Sequence, residues 1–187
     1  MKDYAELVLT AAKMSGDVDA ANYASSLLAI AEKKLSRRLK ARQQQRIKTL
    51  TTDTSGSIPL PRGFIEMVSV YKAKELLDAV PYEMIKSEHR RGYAIVGERV
   101  YMRDGSTAHQ ITYVEDIPSL EEEGSNWLLE AAPDIYLQAL LYEIAVKNLE
   151  VDKAGVILTY LDRLIAQYTQ HNKSTMITIT GAGGQRP

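Results

Sequence analysis

Apolar positions in the first 44 residues recur every three or four residues. Leu7, Ala11 and Met14 share one face of a short helix over residues 3–14, which Gly16 ends. Asp17 is placed to cap a second helix, whose stripe runs through Ala20, Ala24, Leu27, Leu28, Ala31, Leu35 and Leu39 and which extends to about Gln44. The period changes after Gln45. Residues 47–52 alternate and are β-branched, a Thr-Ser-Gly-Ser turn occupies 54–57, and Pro59 and Pro61 hold the next stretch extended. Residues 67–72 and 110–114 read as strands, and 81–88 as one or two helical turns. Between Tyr93-Ala94-Ile95-Val96 and Arg99-Val100-Tyr101-Met102 lies Gly97-Glu98. Glycine first in a two-residue loop predicts a hairpin with a type II′ turn. Helical spacing returns after Pro118. Ser125 or Asn126 caps a turn at Trp127-Leu128-Leu129, Pro133 opens a helix buried along Leu137, Leu140, Leu141, Ile144 and Ala145, and a break follows near Val151-Asp152. The last helix carries Ile157, Tyr160, Leu161, Leu164, Ile165 and Tyr168 in phase.

These elements predict a mainly α, α+β chain: a helical bundle with a small inserted antiparallel β-sheet and an extended C-terminal arm. Residues 1–44 supply the first helices, 45–118 the β-rich insert, 119–173 the remaining helices and 174–187 the arm. Thr175 to Thr180 alternates Thr with Met or Ile at strand period, and an isolated strand cannot bury its own side chains. Met176, Ile177 and Ile179 are therefore the candidate docking residues of an arm that orders on meeting another chain.

Composition narrows the chemistry. Hydrophobic residues make up 45% and charged residues 25%, enough for a packed core, and the net charge of −1 gives no global attraction to nucleic acid or membrane. With no cysteine, disulfides, thiolate zinc sites and cysteine nucleophiles drop out. His89, His109 and His171 are far apart and outside ligand spacing, so no metal or cofactor is expected. Ser25, Ser26 and Ser36 lack an elbow motif, and no helix follows the Gly181-Ala182-Gly183-Gly184 stretch, so no catalytic constellation emerges. Met1 to Glu6 is polar and acidic, unlike a signal peptide, and no window approaches the length of a membrane span. Eleven tyrosines against one Phe and one Trp suit surfaces that are wet in one state and dry in another.

Charge is unevenly distributed. Eight basic residues and no acid lie between Lys33 and Lys48, and nine acids without Lys or Arg lie between Asp104 and Glu143. Lys33, Lys34, Arg37, Arg38, Lys40 and Arg42 are the candidate interface, able to meet the acidic surface of a neighbouring copy in a heterologous contact. Two other readings stand beside it: pairing within the chain or plain solvation, and contact with DNA. Trp127 likewise has two readings, core packing or contact with a partner.

One order of signals resembles a known family. It runs Leu60-Pro61-Arg62-Gly63-Phe64-Ile65-Glu66-Met67, the 93–101 hairpin, Ile111-Thr112-Tyr113-Val114 and Asn126-Trp127-Leu128-Leu129 through Ala132-Pro133-Asp134-Ile135-Tyr136. This order resembles the head-to-tail adaptor proteins of tailed bacteriophages, also called connector or head-completion proteins, over roughly residues 1–170. The resemblance implies a non-enzymatic virion protein at the head–tail junction, assembled in the host cytoplasm without a membrane. Its copies would form a homo-oligomeric ring, a dodecamer, beneath the portal protein, dock tail or nozzle proteins, and let packaged DNA pass without sequence-specific binding. The competing reading, a DNA-binding or DNA-packaging accessory protein, rests on the basic stripe alone.

Overall fold

The computed structural model describes residues 1–17, 19–87 and 90–177, the last six of these by their backbone alone. The chain divides into two compact units. One joins Met1–Gln43 to the chain from Ile117 through the last helix; the other is Gln44–Asp116.

In the first unit α1 (Tyr4–Ser15) starts at Asp3, whose carboxylate accepts from the Glu6 N–H at 2.9 Å, and stops at Gly16 with φ 75°. α2 (Ala20–Leu39) follows. Asp17 does not cap it as the sequence suggested. Asp19 holds that position without a side-chain bond, and Asp17 instead accepts from the Asp19 N–H (2.9 Å), from Asn148 Nδ2 (2.8 Å) and from the Tyr23 hydroxyl. Those bonds hold its carboxyl down to about 2. α2 also ends five residues short of Gln44. Leu39 is its last buried position, Lys40 turns the chain at φ 44°, and a single 3₁₀ turn (Arg42–Gln44) leads out of the unit.

After α4 (Leu120–Glu123), α5 (Trp127–Ala131) is capped by Asn126, whose Oδ1 accepts from the N–H groups of Leu128 and Leu129. α6 (Pro133–Lys147) begins on proline, where a missing N–H costs nothing. It is buried nearly all round, along Ile135, Tyr136, Ala139, Leu140, Leu141, Glu143, Ile144 and Ala145. α1, α2, α5 and α7 (Val151–Ile177) pack around it. Of the positions expected to be in phase on α7, Leu161 and Ile165 are buried, while Tyr160 is exposed. The backbone of 174–177 continues α7, where an extended arm was expected. Lengthening an existing helix adds one hydrogen bond per residue, and the weak helix propensity of Thr and Ile costs only a few tenths of a kcal/mol each. Ile179 lies outside the described residues, as does His89.

The second unit holds two antiparallel sheets where a single sheet was expected. β1 (Gln45–Thr51), β7 (Ala108–Glu115), β3 (Phe64–Lys72) and β4 (Glu75–Leu77) form one, in that spatial order. β2 (Ser57–Pro59), β6 (Arg99–Met102) and β5 (Tyr93–Val96) form the other, and α3 (Tyr82–Ser87) precedes β5. Gly97 takes φ 58°, as the type II′ turn requires. Ile58, Val100 and Met102 from the smaller sheet meet Val70, Leu77, Ile111 and Tyr113 from the larger in one apolar core. Two half-buried sheets thus bury each other's faces, which one small sheet could not do.

Candidate interface

α2 presents two surfaces. Ala20, Ala24, Leu28, Ala31, Leu35 and Leu39 lie inward, each about 1% exposed or less. The six candidate cations, Lys33, Lys34, Arg37, Arg38, Lys40 and Arg42, are all exposed. At 100° per residue they fall into two rows. Lys34 and Arg38 lean over the neighbouring helices. Lys34 Nζ donates to both oxygens of Glu143 (2.7 and 2.9 Å) and stands 5.4 Å from the Tyr142 ring, while Arg38 pairs with Asp162. The Glu143 side chain is only 6% exposed, so Lys34 neutralises a carboxylate that would otherwise be buried unpaired. These two cations fasten α2 to α6 and α7. Lys33, Arg37 and Lys40 form the other row, with Arg42 just beyond it. Among the described residues Arg37 and Arg42 make no ion pair or hydrogen bond. Arg37 also sits in the last turn of α2, where the helix dipole favours a cation.

The acids are similarly divided. Asp104 pairs with Lys72, Glu115 with Arg46 and Glu143 with Lys34. Glu121, Glu122 and Glu123 on α4, Glu130 on α5 and Asp134 on α6 stay exposed. The structure therefore assigns part of the sequence polarity to pairing within the chain and leaves an outward basic row and a separate acidic group.

Sequence reasoning missed the polar latch beneath this surface. Glu32 and Ser36 stand one helical turn apart on the inward side of α2. Ser36 Oγ accepts from the Ile117 N–H (2.9 Å) and Glu32 Oε1 from the Leu120 N–H (2.8 Å), so α2 holds the start of the returning chain. Tyr136, fully buried, donates to Glu32 at 3.4 Å and accepts from Asn126 Nδ2 at 2.7 Å. Burial raises the Glu32 pKa, against the pull of these bonds, and raises Tyr136 to a still greater degree. The available signal was the placement of Glu32 and Ser36 among Leu28, Leu35 and Leu39, where a solvated side chain has no room.

Trp127 packs against the core of the first unit, with its Nε1 buried and without a hydrogen-bond partner among the described residues. His109, about 1% exposed, sets its Nδ1 3.0 Å from the Thr107 carbonyl oxygen, and burial lowers its pKa. Among the described residues no group of His, Asp and Glu could hold a metal ion, and no helix is long and apolar enough to cross a membrane.

The chain is an α+β protein with exposed cations on α2 and exposed acids on α4, α5 and α6. Its sequence matches the family model described as SU10 adaptor protein over residues 2–184, and the chain belongs to that family. It is a bacteriophage structural adaptor, and membership of such a family implies a role other than catalysis. No curated protein matches the chain.

Proposed function

We propose that the protein is one subunit of a homo-oligomeric ring, a dodecamer, seated beneath the portal at the head–tail junction of the virion. There it extends the DNA channel, through which packaged DNA passes without sequence-specific contact, and docks tail or nozzle proteins. The family match over residues 2–184 carries this reading. The charge layout supports it, since an outward basic row and a separate exposed acidic group can meet between successive copies and close a ring. Of the six interface candidates, Arg37 and Arg42 are the pair proposed to reach a neighbouring copy, whereas Lys34 and Arg38 are engaged with Glu143 and Asp162, and Lys33 and Lys40 also have contacts of their own. The C-terminal segment carrying Met176, Ile177 and Ile179 is the proposed arm, docking on a neighbouring copy or the portal.

Sedimentation of the protein alone and with portal protein tests the reading. The wild type should enter a ring or a portal complex. The double variant Arg37→Glu/Arg42→Glu should keep its helicity and assemble more weakly by up to about 30-fold, because exposed ion pairs contribute ~0–1 kcal/mol each. A wild type that stays monomeric with portal present overturns the proposal. Retardation of duplex DNA with a steep salt dependence favours a DNA-packaging accessory instead.

A further inference from the structure

The second unit contains a groove with an open strand edge on each side. β4 pairs only with Val70, Tyr71 and Lys72, so Phe64 to Ser69 of β3 has no strand beside it on that edge. Beyond Leu77 the chain crosses to β5, where the Val80 N–H donates to the Tyr93 carbonyl and the Tyr93 N–H to the Asp78 carbonyl, both at 2.9 Å. In an antiparallel pair alternate residues turn their backbone groups to the outer edge. Ile95 therefore faces outward as Tyr93 does, and its N–H and C=O meet no partner among the described residues. Between the two edges lies a groove of about 450 Å³ lined chiefly by Phe64, Ile65, Met67, Val80, Tyr93 and Ile95, with Glu66 also in its lining. Apolar walls with unused backbone donors and acceptors on both rims fit an added strand.

The chain itself carries a segment of that chemistry. Ile177-Thr178-Ile179-Thr180 is four β-branched residues in succession, with both isoleucines on one face at strand period. Ile177 is the last described residue of α7 and would leave the helix on docking. Residues 178–187 lie beyond the described chain, and ten residues reach roughly 33 Å at most when fully extended. Four extended residues span roughly 13 Å, the length of Phe64 to Met67 along the groove. We infer that Ile177–Thr180 of a second copy adds as a strand in this groove, with Ile177 and Ile179 on the apolar wall and the threonines outward. This rests on the proposal that copies associate, and names the surface that receives the arm.

The absence of cysteine makes a cross-link unambiguous. Full-length Ile179→Cys is mixed with full-length Ile65→Cys under mild oxidation, with Met67→Cys as the second groove variant. Ile47→Cys, on the far edge strand of the same sheet, is the control. Peptide mapping should find the 179–65 or 179–67 disulfide between copies at least fivefold above the 179–47 control. Yields equal to the control overturn the inference. So does a double variant, Ile65→Cys/Ile179→Cys, that closes its disulfide only within one chain. Sedimentation of the wild type separates the failures. Rings without the cross-link overturn the groove docking alone, whereas monomers with portal present and no cross-link overturn both readings.

Discussion

Replacing Asn126 by Ala removes a cap and a junction at once. Its Oδ1 accepts from the N–H groups of Leu128 and Leu129 at 3.1 Å, and its Nδ2 donates to the Pro118 carbonyl (2.6 Å) and the Tyr136 hydroxyl (2.7 Å). The residue is 6% exposed, so water does not replace these bonds. Losing the cap costs about 1 kcal/mol. Removing the donor from the carbonyl of half-buried Pro118 adds about 1–2 kcal/mol, while Tyr136 keeps its bond to Glu32. The expected total is about 2–3 kcal/mol, a fall in Tm of about 4–12 °C for a chain of this size. Asp3→Ala is the matched control, since Asp3 also caps a helix but in solvent and through one N–H group, and should cost about 1 kcal/mol or less. Urea unfolding followed by the fluorescence of Trp127, the single tryptophan and the next residue, reads the first unit directly. If Asn126→Ala costs no more than Asp3→Ala, the junction carries no stability and the reasoning fails.

Two further outcomes follow from buried chemistry. The raised pKa of Glu32 contributes stability that is complete below its ordinary value of 4.5 and is lost as pH rises through the folded value. Glu32→Gln should flatten that part of the curve of urea midpoint against pH, and an unchanged slope would refute it. An ideal Cβ on Gly56, at φ 77°, would stand 2.2 Å from the Met102 carbonyl oxygen, so Gly56→Ala should destabilise the second unit by about 2–3 kcal/mol. Faster hydrogen exchange in β2 and β6, with α6 unaffected, is the expected signature.

Legibility followed sequence separation. The Gly97 turn, Pro133 at the first helical position and the stripe of α2 each depend on residues within a few positions, and each was readable. Asp17 was misread because its partner Asn148 is 131 residues away, and nothing local competes with a capping role. The single expected sheet became two because pairing joins β1 to β7 and β2 to β6 across long intervals, and alternation within a strand does not name its partner. The candidate cations were identifiable as exposed by their helical phase. That Lys34 and Arg38 pair within the chain was not, since Glu143 and Asp162 lie on other helices.

Pairing of β1 with β7 also bears on the order in which the protein is made. Gln45 lies opposite Val114, and Arg46 and Glu115 form an ion pair at 2.9 Å, so the chain enters and leaves the second unit on neighbouring strands. That unit is continuous in sequence, whereas the first is interrupted by it. On the ribosome, residues 44–116 have emerged before Ile117 is available to α2. Once β1 and β7 zip together, the two halves of the interrupted unit are tethered about one strand spacing apart. Closing a free loop of that length carries an entropic term of about 4 kcal/mol, which an insert folded before the helices meet would remove from their association. An insert folded first would thus shorten the effective separation of the segments that Ser36 and Glu32 latch together.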